Sequence, residues 1–386
     1  MIKQMKTIRD IYVKNKTVLV RVDLNVALRD GKISDDFRIQ AILPTINYLF
    51  GQNAKIILLS HLGRPSENEK QHSLWVVAKH LSELIKQEIV FIENLDKAKD
   101  TIDEMDFGQI AFLENLRFYD GEVDNDADFA KKLADLGEVY INDAFGVCHR
   151  MHASVVGIPK YLPSAIGLLV EKEIKVLSNV MENSQHPLVA VIGGAKISTK
   201  IKMIDNFLDR VDDLILGGAL ANTVIAAKGI AIGRSVVEKG MIEEVKKLEL
   251  TNTKLHIPVD VIVSADVSGS APKRIAPVGR TEENEMILDI GPDTINLFEQ
   301  IIKLANMIIC NGPMGLFEVD EFSVGSKRII SAIAESDGFS VVGGGDSIAL
   351  LNQLGLKNKI NHISTGGGAM LKFLSGEKLP GLEVIE

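Results

Sequence analysis

The sequence predicts an α/β fold with open, mostly parallel sheets. Three observations carry that reading: short apolar runs rich in Val and Ile recur along 386 residues, helical stretches separate them, and glycine or charged clusters follow them. Runs this short and this β-branched read as strands. Continuous apolar character marks strands buried on both faces, with helices as the crossovers. They fall at Thr17–Asp23, Lys55–Ser60, Gln109–Leu113, Val139–Asn142, Leu188–Ile192, Asp213–Leu216, Ile257–Val263, Met307–Cys310 and Ser340–Val342. Ligands of such a fold sit beyond the carboxyl ends of the strands, where the unusual residues of this chain cluster.

The length suggests two domains. A helix is expected over Ala165–Ser184, with Val170, Ile174, Leu177 and Val180/Met181 on one face and Asn183, Ser184 and Pro187 as its stop. The domain boundary is placed in that region, between Pro159 and Pro187. Lys and Arg number 43 against 52 Asp and Glu, a net charge of −9, which disfavours a dedicated nucleic-acid binder. A small anion remains compatible, because binding follows the local field. Two distant cysteines, Cys148 and Cys310, imply neither a disulfide framework nor a zinc cluster, so a reducing compartment is expected. Charges interrupt every apolar stretch of the first residues and no long apolar run follows, so neither a signal peptide nor a membrane span is expected, and the cytoplasm is the expected location.

The first strand ends in Arg21, Asp23 and Asn25, which alternation puts opposite Val22, Leu24 and Val26. A solvated strand face would read the same way. Arg38 follows in a polar segment. The second strand ends in Ser60-His61-Leu62-Gly63-Arg64-Pro65, a compact donor set for phosphate or carboxylate, or else a surface turn with incidental charges. Arg117 follows the third strand beside Glu114, a plausible ion-pair partner. After the fourth come Asn142-Asp143-Ala144-Phe145-Gly146 and His149-Arg150-Met151-His152. The two histidines suit a metal by spacing, but Arg150 between them would repel a cation, which favours an anion site; structural histidines stay an alternative. Forked donors gathered at successive strand ends suit a small molecule bearing phosphate and carboxylate.

In the second half Gly193-Gly194-Ala195-Lys196-Ile197-Ser198-Thr199-Lys200 follows a strand. If this segment opens a helix, Lys196 and Lys200 lie on one face at its start, a like-charge pair that a phosphate chain would relieve. The run is neither a Walker A loop nor a dinucleotide fingerprint. Leu216-Gly217-Gly218 is a second glycine turn. Asn311-Gly312-Pro313-Met314-Gly315-Leu316-Phe317-Glu318 offers a turn for a flat base and a carboxylate for ribose hydroxyls, or else is a tight loop with a helix-proximal Glu. Gly343-Gly344-Gly345-Asp346-Ser347 exposes backbone amides beside a hard oxygen ligand for Mg²⁺, although Asp346 is also a credible helix N-cap. Gly366-Gly367-Gly368 repeats the amide-rich turn.

Taken in order, RVDLNV, DDFRI, SHLGRP, FLENLRF, NDAFGVCHRMHAS, IGGAKISTK, GGALANT, DIGPDT, NGPMGLFE, GGGDS, HISTGGGA and LPGLE resemble the phosphoglycerate kinase family over essentially the whole chain. The resemblance implies two doubly wound parallel-sheet (Rossmann-like) domains facing a cleft and joined by a helix. It implies residues 1–168 for phosphoglycerate, 169–371 for nucleotide with 169–184 as the interdomain helix, and a tail, 372–386, that returns to the first domain. By motif position Asp23, Asn25, Arg38, His61, Arg64, Arg117 and Arg150 correspond to phosphoglycerate-binding residues. Gly194, Lys196, Lys200, Gly217, Asn311, Pro313, Glu318, Gly343, Gly344, Gly345, Asp346 and Ser347 correspond to nucleotide-side positions. Arg38, Lys200 and Lys196 are the implied catalytic residues, and Asp346 the ligand of Mg²⁺. The implied reaction is reversible transfer between 1,3-bisphosphoglycerate and Mg-ADP, giving 3-phosphoglycerate and ATP, in a monomer. Ala27, Leu168 and Leu316 depart from the family's usual Pro, Phe and Val. A nicotinamide-dependent dehydrogenase and a non-catalytic two-lobed binding protein are the competing readings.

Overall fold

The computed structural model describes residues 5–29, 31–65 and 69–385. The chain divides into two compact units, residues 1–177 with 377–386, and residues 178–376. The division falls inside the connecting helix, within the Pro159–Pro187 region and nine residues beyond the 168/169 boundary that the resemblance implies.

The first unit is built on a six-stranded sheet of β1 (Thr17–Val22), β2 (Lys55–Leu59), β3 (Ile89–Ile92), β4 (Ile110–Leu113), β5 (Val139–Asp143) and β6 (Ser164–Ile166), in the order β3-β4-β2-β1-β5-β6. Every pairing is parallel. The chain runs from β1 to one side and returns to β5 on the other, so β1 and β5 flank the topological switch point. Alternate residues of β1 serve two cores. Val18, Val20 and Val22 pack with Ile39, Ile42 and Ile46, while Leu19 packs with Ile57, Leu133 and Tyr140.

The second unit has β7 (Leu188–Ile192), β8 (Asp213–Leu216), β9 (Leu255–His256), β10 (Asp260–Ser264), β11 (Lys273–Pro277), β12 (Met286–Ile290), β13 (Met307–Asn311), β14 (Phe339–Gly343) and β15 (His362–Ser364). Six of them form a parallel sheet in the order β9-β8-β7-β13-β14-β15, with its switch point between β7 and β13. The other three make an antiparallel sheet, β11-β10-β12. The expected strand Ile257–Val263 is a strand only from Asp260: β9 ends at His256, before that run, and β10 begins at Asp260 in a different sheet.

The helix expected over Ala165–Ser184 spans Leu168–Glu182. Ala165 and Ile166 instead pair with Ile141 and Asn142. The helix starts where two distant side chains meet its free amides: Thr45 Oγ1 accepts from Leu168 N at 3.0 Å, and Asp143 Oδ1 from Leu169 N at 2.9 Å. Val170, Ile174, Leu177 and Val180 are buried as their spacing predicts. The C-terminal residues hold to the first unit through Gly381, whose N–H donates to Cys148 O and whose carbonyl accepts from Asn142.

Candidate functional site

In the first unit the sheet register sets the site. Arg21 lies level with Leu59 on β2 and Asn142 on β5, so the loops after these three strands leave from one edge. Arg21 is no solvated residue: it has no exposed surface. Its Nε donates to Ser154 Oγ at 2.8 Å, and its Nη2 lies 3.1 Å from His61 Nδ1. Arg38, on the short helix Phe37–Ala41, donates to Asn25 O at 2.9 Å and stands 3.3 Å from Asp23 Oδ2. Asn25 Oδ1 accepts from Gly63 N at 2.8 Å, and Arg117 donates to the Gly63 carbonyl. The loop after β1 is thereby tied to the His61–Arg64 turn, and that turn to Arg117. Asn115 completes the tie by bonding Leu62 through both its carbonyl and its amide, at 3.2 and 2.8 Å.

Burial and neighbouring charge set the protonation of this cluster. Burial, then Arg21, Arg117 and Arg150, hold His61 well below the usual imidazole pKa. Burial and the same three arginines bring His152 down to about 3. Burial and Arg150 lower Arg117 to about 10. Arg150 is lowered by burial and by Arg64. Burial is the largest cause for each of these groups, and repulsion among the neighbouring cations adds to it, a setting compatible with an anion. The metal alternative for His149 and His152 lacks support, because no group of three His, Cys, Asp or Glu with metal-site geometry occurs among the described residues.

In the second unit the register aligns four glycines. Ile192 pairs with Leu216 and Asn311, and Asn311 with Gly343, so Gly193, Gly217, Gly312 and Gly344 each stand one residue past a strand end. Gly344 has φ +99°, and a Cβ on Gly193 would meet Pro313 O at 2.0 Å. Neither place tolerates a side chain. Here a cavity of about 230 Å³ opens, lined by Gly194, Ala219, Pro313, Met314, Leu316, Glu318 and Asp346, with Val261, Leu288 and Ile290 of the antiparallel sheet. Its walls are mainly apolar and its carboxylates few, the composition of a pocket for a flat, partly polar ligand.

Comparison with known proteins now decides the family. The phosphoglycerate kinase family model matches residues 8–377. Phosphoglycerate kinase of Desulforapulum autotrophicum is 45% identical over 391 residues, covering 99% of this chain and 100% of that protein. That of Pelotomaculum thermopropionicum is 42% identical over 387 residues, covering 98% of each. The chain belongs to the phosphoglycerate kinase family. Two solved phosphoglycerate kinases share its two-domain α/β fold at 38% identity, covering 99% of this chain and 98% of theirs. They come from Pyrococcus horikoshii, with a TM-score of 0.87, and Coxiella burnetii, with 0.83. No helix among the described residues is long and apolar enough to cross a membrane.

Within this phosphoglycerate kinase-family chain, Asp23, Asn25, Arg38, His61, Arg117 and Arg150 lie in one network of contacts or charges, with Arg64 on its exposed side. On the other unit Gly194, Pro313, Glu318 and Asp346 line the cavity, whereas Asn311 and Ser347 brace it. Asn311 Nδ2 donates to Gly343 O at 2.9 Å, and Ser347 Oγ accepts from Gly312 N at 2.8 Å. The expected helical face carrying Lys196 and Lys200 does not exist. Residues 193–200 form bends and turns, and the helix begins at Ile201 with Lys200 as its N-cap residue. Lys196 is exposed, while the Lys200 ammonium donates to Gly193 O and, at 3.3 Å, to Asn311 O. Asp346 is not the N-cap either; Gly344 holds that place, and Asp346 sits in the first turn, facing the cavity. Sequence reasoning passed over Asn115, Glu122 and Ser154, which order the basic cluster from within. Nothing in their local sequence separates them from ordinary loop residues.

Burial lowers Lys200 to about 8. It is therefore charged below pH 8 and loses its charge above it, so a phosphate-bearing ligand that touches it binds best on the acid side. Titration calorimetry with Mg-ADP should show affinity falling as pH rises from 7.5 to 9.

Proposed function

We propose that the protein is a glycolytic phosphoglycerate kinase, reversibly transferring a phosphoryl group from 1,3-bisphosphoglycerate to Mg-ADP to give 3-phosphoglycerate and ATP. The observation that carries this reading is the pair of unlike sites in one chain: an arginine–histidine cluster at the switch point of the first sheet, and a glycine-lined, mainly apolar cavity at that of the second. The first suits a small acid phosphate; the second suits a nucleotide.

In the direction of ATP use, a carboxylate oxygen of 3-phosphoglycerate attacks the γ-phosphorus and the bond to the ADP oxygen breaks. A carboxylate is ionised at neutral pH, so no general base is required. The protein's work is alignment and charge stabilisation. His61, Arg64, Arg117 and Arg150, with Asp23 and Asn25, bind and orient the acid phosphate. Glu318 accepts from the ribose, and Gly194, Gly217 and Pro313 shape the base and sugar site. The amides of residues 343–345 and of the helix starting at Gly345 face the phosphates, braced by Asn311 and Ser347. Arg38 and Lys200 meet the charge on the transferring group, with Lys196 assisting from the exposed side. Mg²⁺ supplied with the nucleotide would draw charge from the phosphate oxygens, and the exposed Asp346 suits an ion that keeps most of its waters and takes one carboxylate. A cytoplasmic monomer whose units close through the Leu168–Glu182 helix belongs to the same reading. Compaction in small-angle scattering with both substrates bound would support the closure, and an unchanged profile would reject it.

Two single variants test the division of labour. Arg117→Ala is expected to weaken 3-phosphoglycerate binding at least tenfold and leave Mg-ADP within about twofold, since it loses a charge-assisted forked contact. Asp346→Ala is expected to do the reverse. Calorimetry that finds both variants impaired for the same ligand contradicts the assignment of the two sites.

A further inference from the structure

Beneath the arginines lies a carboxylate that the reaction does not use. Glu122, in the short helix Asp120–Val123, has no exposed surface. One of its oxygens accepts from Ser154 N at 2.9 Å and the other from Ser154 Oγ at 2.6 Å. That hydroxyl in turn accepts from Arg21 Nε, so Ser154 is clasped between the acid and the buried guanidinium. Arg21 Nη2 stands 3.9 Å from Glu122 Oε1, and His152 Nδ1 stands 3.7 Å from the same oxygen. Burial raises the Glu122 pKa, while Arg21 and the Ser154 bonds pull it back. The carboxylates whose charge reaches Arg117 are Asp23 and Glu122; Asp23 is engaged by Arg38, and Glu122 lies on the protein side.

We propose that Glu122 is the resident counter-charge of the basic cluster, a positioning residue that holds Arg21 and Ser154 in the ligand-free chain and thereby limits the cluster's affinity for anions. The inference rests on the reading of that cluster as the phosphoglycerate site. Its logic is electrostatic. Buried guanidinium groups without a counter-ion repel one another and cost stability, so a fixed carboxylate lets the cluster exist before the substrate arrives. The same carboxylate remains when the substrate binds and opposes the incoming anion. A unit charge about 10 Å away at an effective dielectric constant of about 20 changes anion affinity about tenfold. For an enzyme that must release an anionic product in both directions, that restraint favours turnover.

The test measures melting temperature and the affinity for inorganic sulfate and for 3-phosphoglycerate in the whole chain, for wild type, Glu122→Gln and Glu122→Asp. Glu122→Gln is expected to melt lower than wild type without anions, to bind both anions about tenfold tighter, and to gain more stability from sulfate. Glu122→Asp disturbs packing but keeps the charge, so its affinities should stay near those of wild type even if it melts lower. Unchanged or weaker binding in Glu122→Gln, or equally tight binding in Glu122→Asp, overturns the proposal. A Glu122→Gln chain that is unfolded in buffer but recovers in sulfate supports it, and one that sulfate does not recover overturns it. Wild type that responds to sulfate but not to 3-phosphoglycerate would remove the ligand assignment while leaving the role of Glu122 to the sulfate comparison.

Discussion

Arg38→Ala is expected to lower kcat about a thousandfold while the affinity for Mg-ADP changes less than about twofold. The magnitude is that of an arginine meeting developing charge on a transferring phosphoryl group. Its confinement to turnover follows from position. Arg38 belongs to the first unit, held by Asn25 O and Asp23, and is not among the residues that line the cavity of the second. Stability should fall by less than about 1 kcal/mol, because the side chain is 25% exposed and its ion pair with Asp23 is partly screened. Arg38→Lys should recover only part of the rate, since an ammonium restores the charge but not the fork. Steady-state rates with calorimetry on the same preparations check both halves. Near wild-type turnover in Arg38→Ala would take this residue out of the mechanism.

Lys200→Met is expected to lower kcat by a similar factor and to flatten the pH dependence of Mg-ADP affinity between 7.5 and 9. In wild type the folded pKa of about 8 lies below the 10.5 of a free lysine, because burial disfavours the ammonium. The unfolded chain therefore binds more protons between pH 8 and 10.5, and the stability of the ligand-free protein rises with pH across that window. Ligand affinity moves the other way, because the neutral amine no longer attracts phosphate. Methionine removes the titrating group, so both trends should vanish together. Lys200→Arg should not rescue activity: the ammonium bonds two backbone carbonyls, Gly193 O and Asn311 O, as a compact point charge, a geometry that a planar guanidinium does not reproduce. A pH profile in Lys200→Met that matches wild type would show that another group titrates.

The central strands were legible because burial on both faces writes itself as an unbroken apolar run: every residue of β2, β7 and β13 is buried. The strands that escaped lack this signature. β3 is half-buried at Val90 and Phe91, β12 carries Asp289, and β11 exposes four of its five residues. The start of the connecting helix was unreadable locally, since its free amides are met by Thr45 and Asp143 from far along the chain. The charged residues at strand ends stood out because they interrupt apolar runs. How they are held did not, since Glu122 sits in an acidic stretch and Asn115 beside a glutamate, where neither is unusual in sequence. The lysine pair failed for a related reason. A spacing of four suggests one helical face only where the backbone is helical, and residues 193–200 fold instead into turns that swing Lys200 inward and leave Lys196 outside.

The most direct test of the account is ATP formation from 1,3-bisphosphoglycerate and ADP in the presence of Mg²⁺, read through a coupled assay on the purified chain. The account predicts ATP in step with 3-phosphoglycerate, turnover about a thousandfold lower in either Arg38→Ala or Lys200→Met, and reversal when ATP and 3-phosphoglycerate are supplied in excess. A folded wild-type chain that binds both substrates but forms no ATP would contradict it.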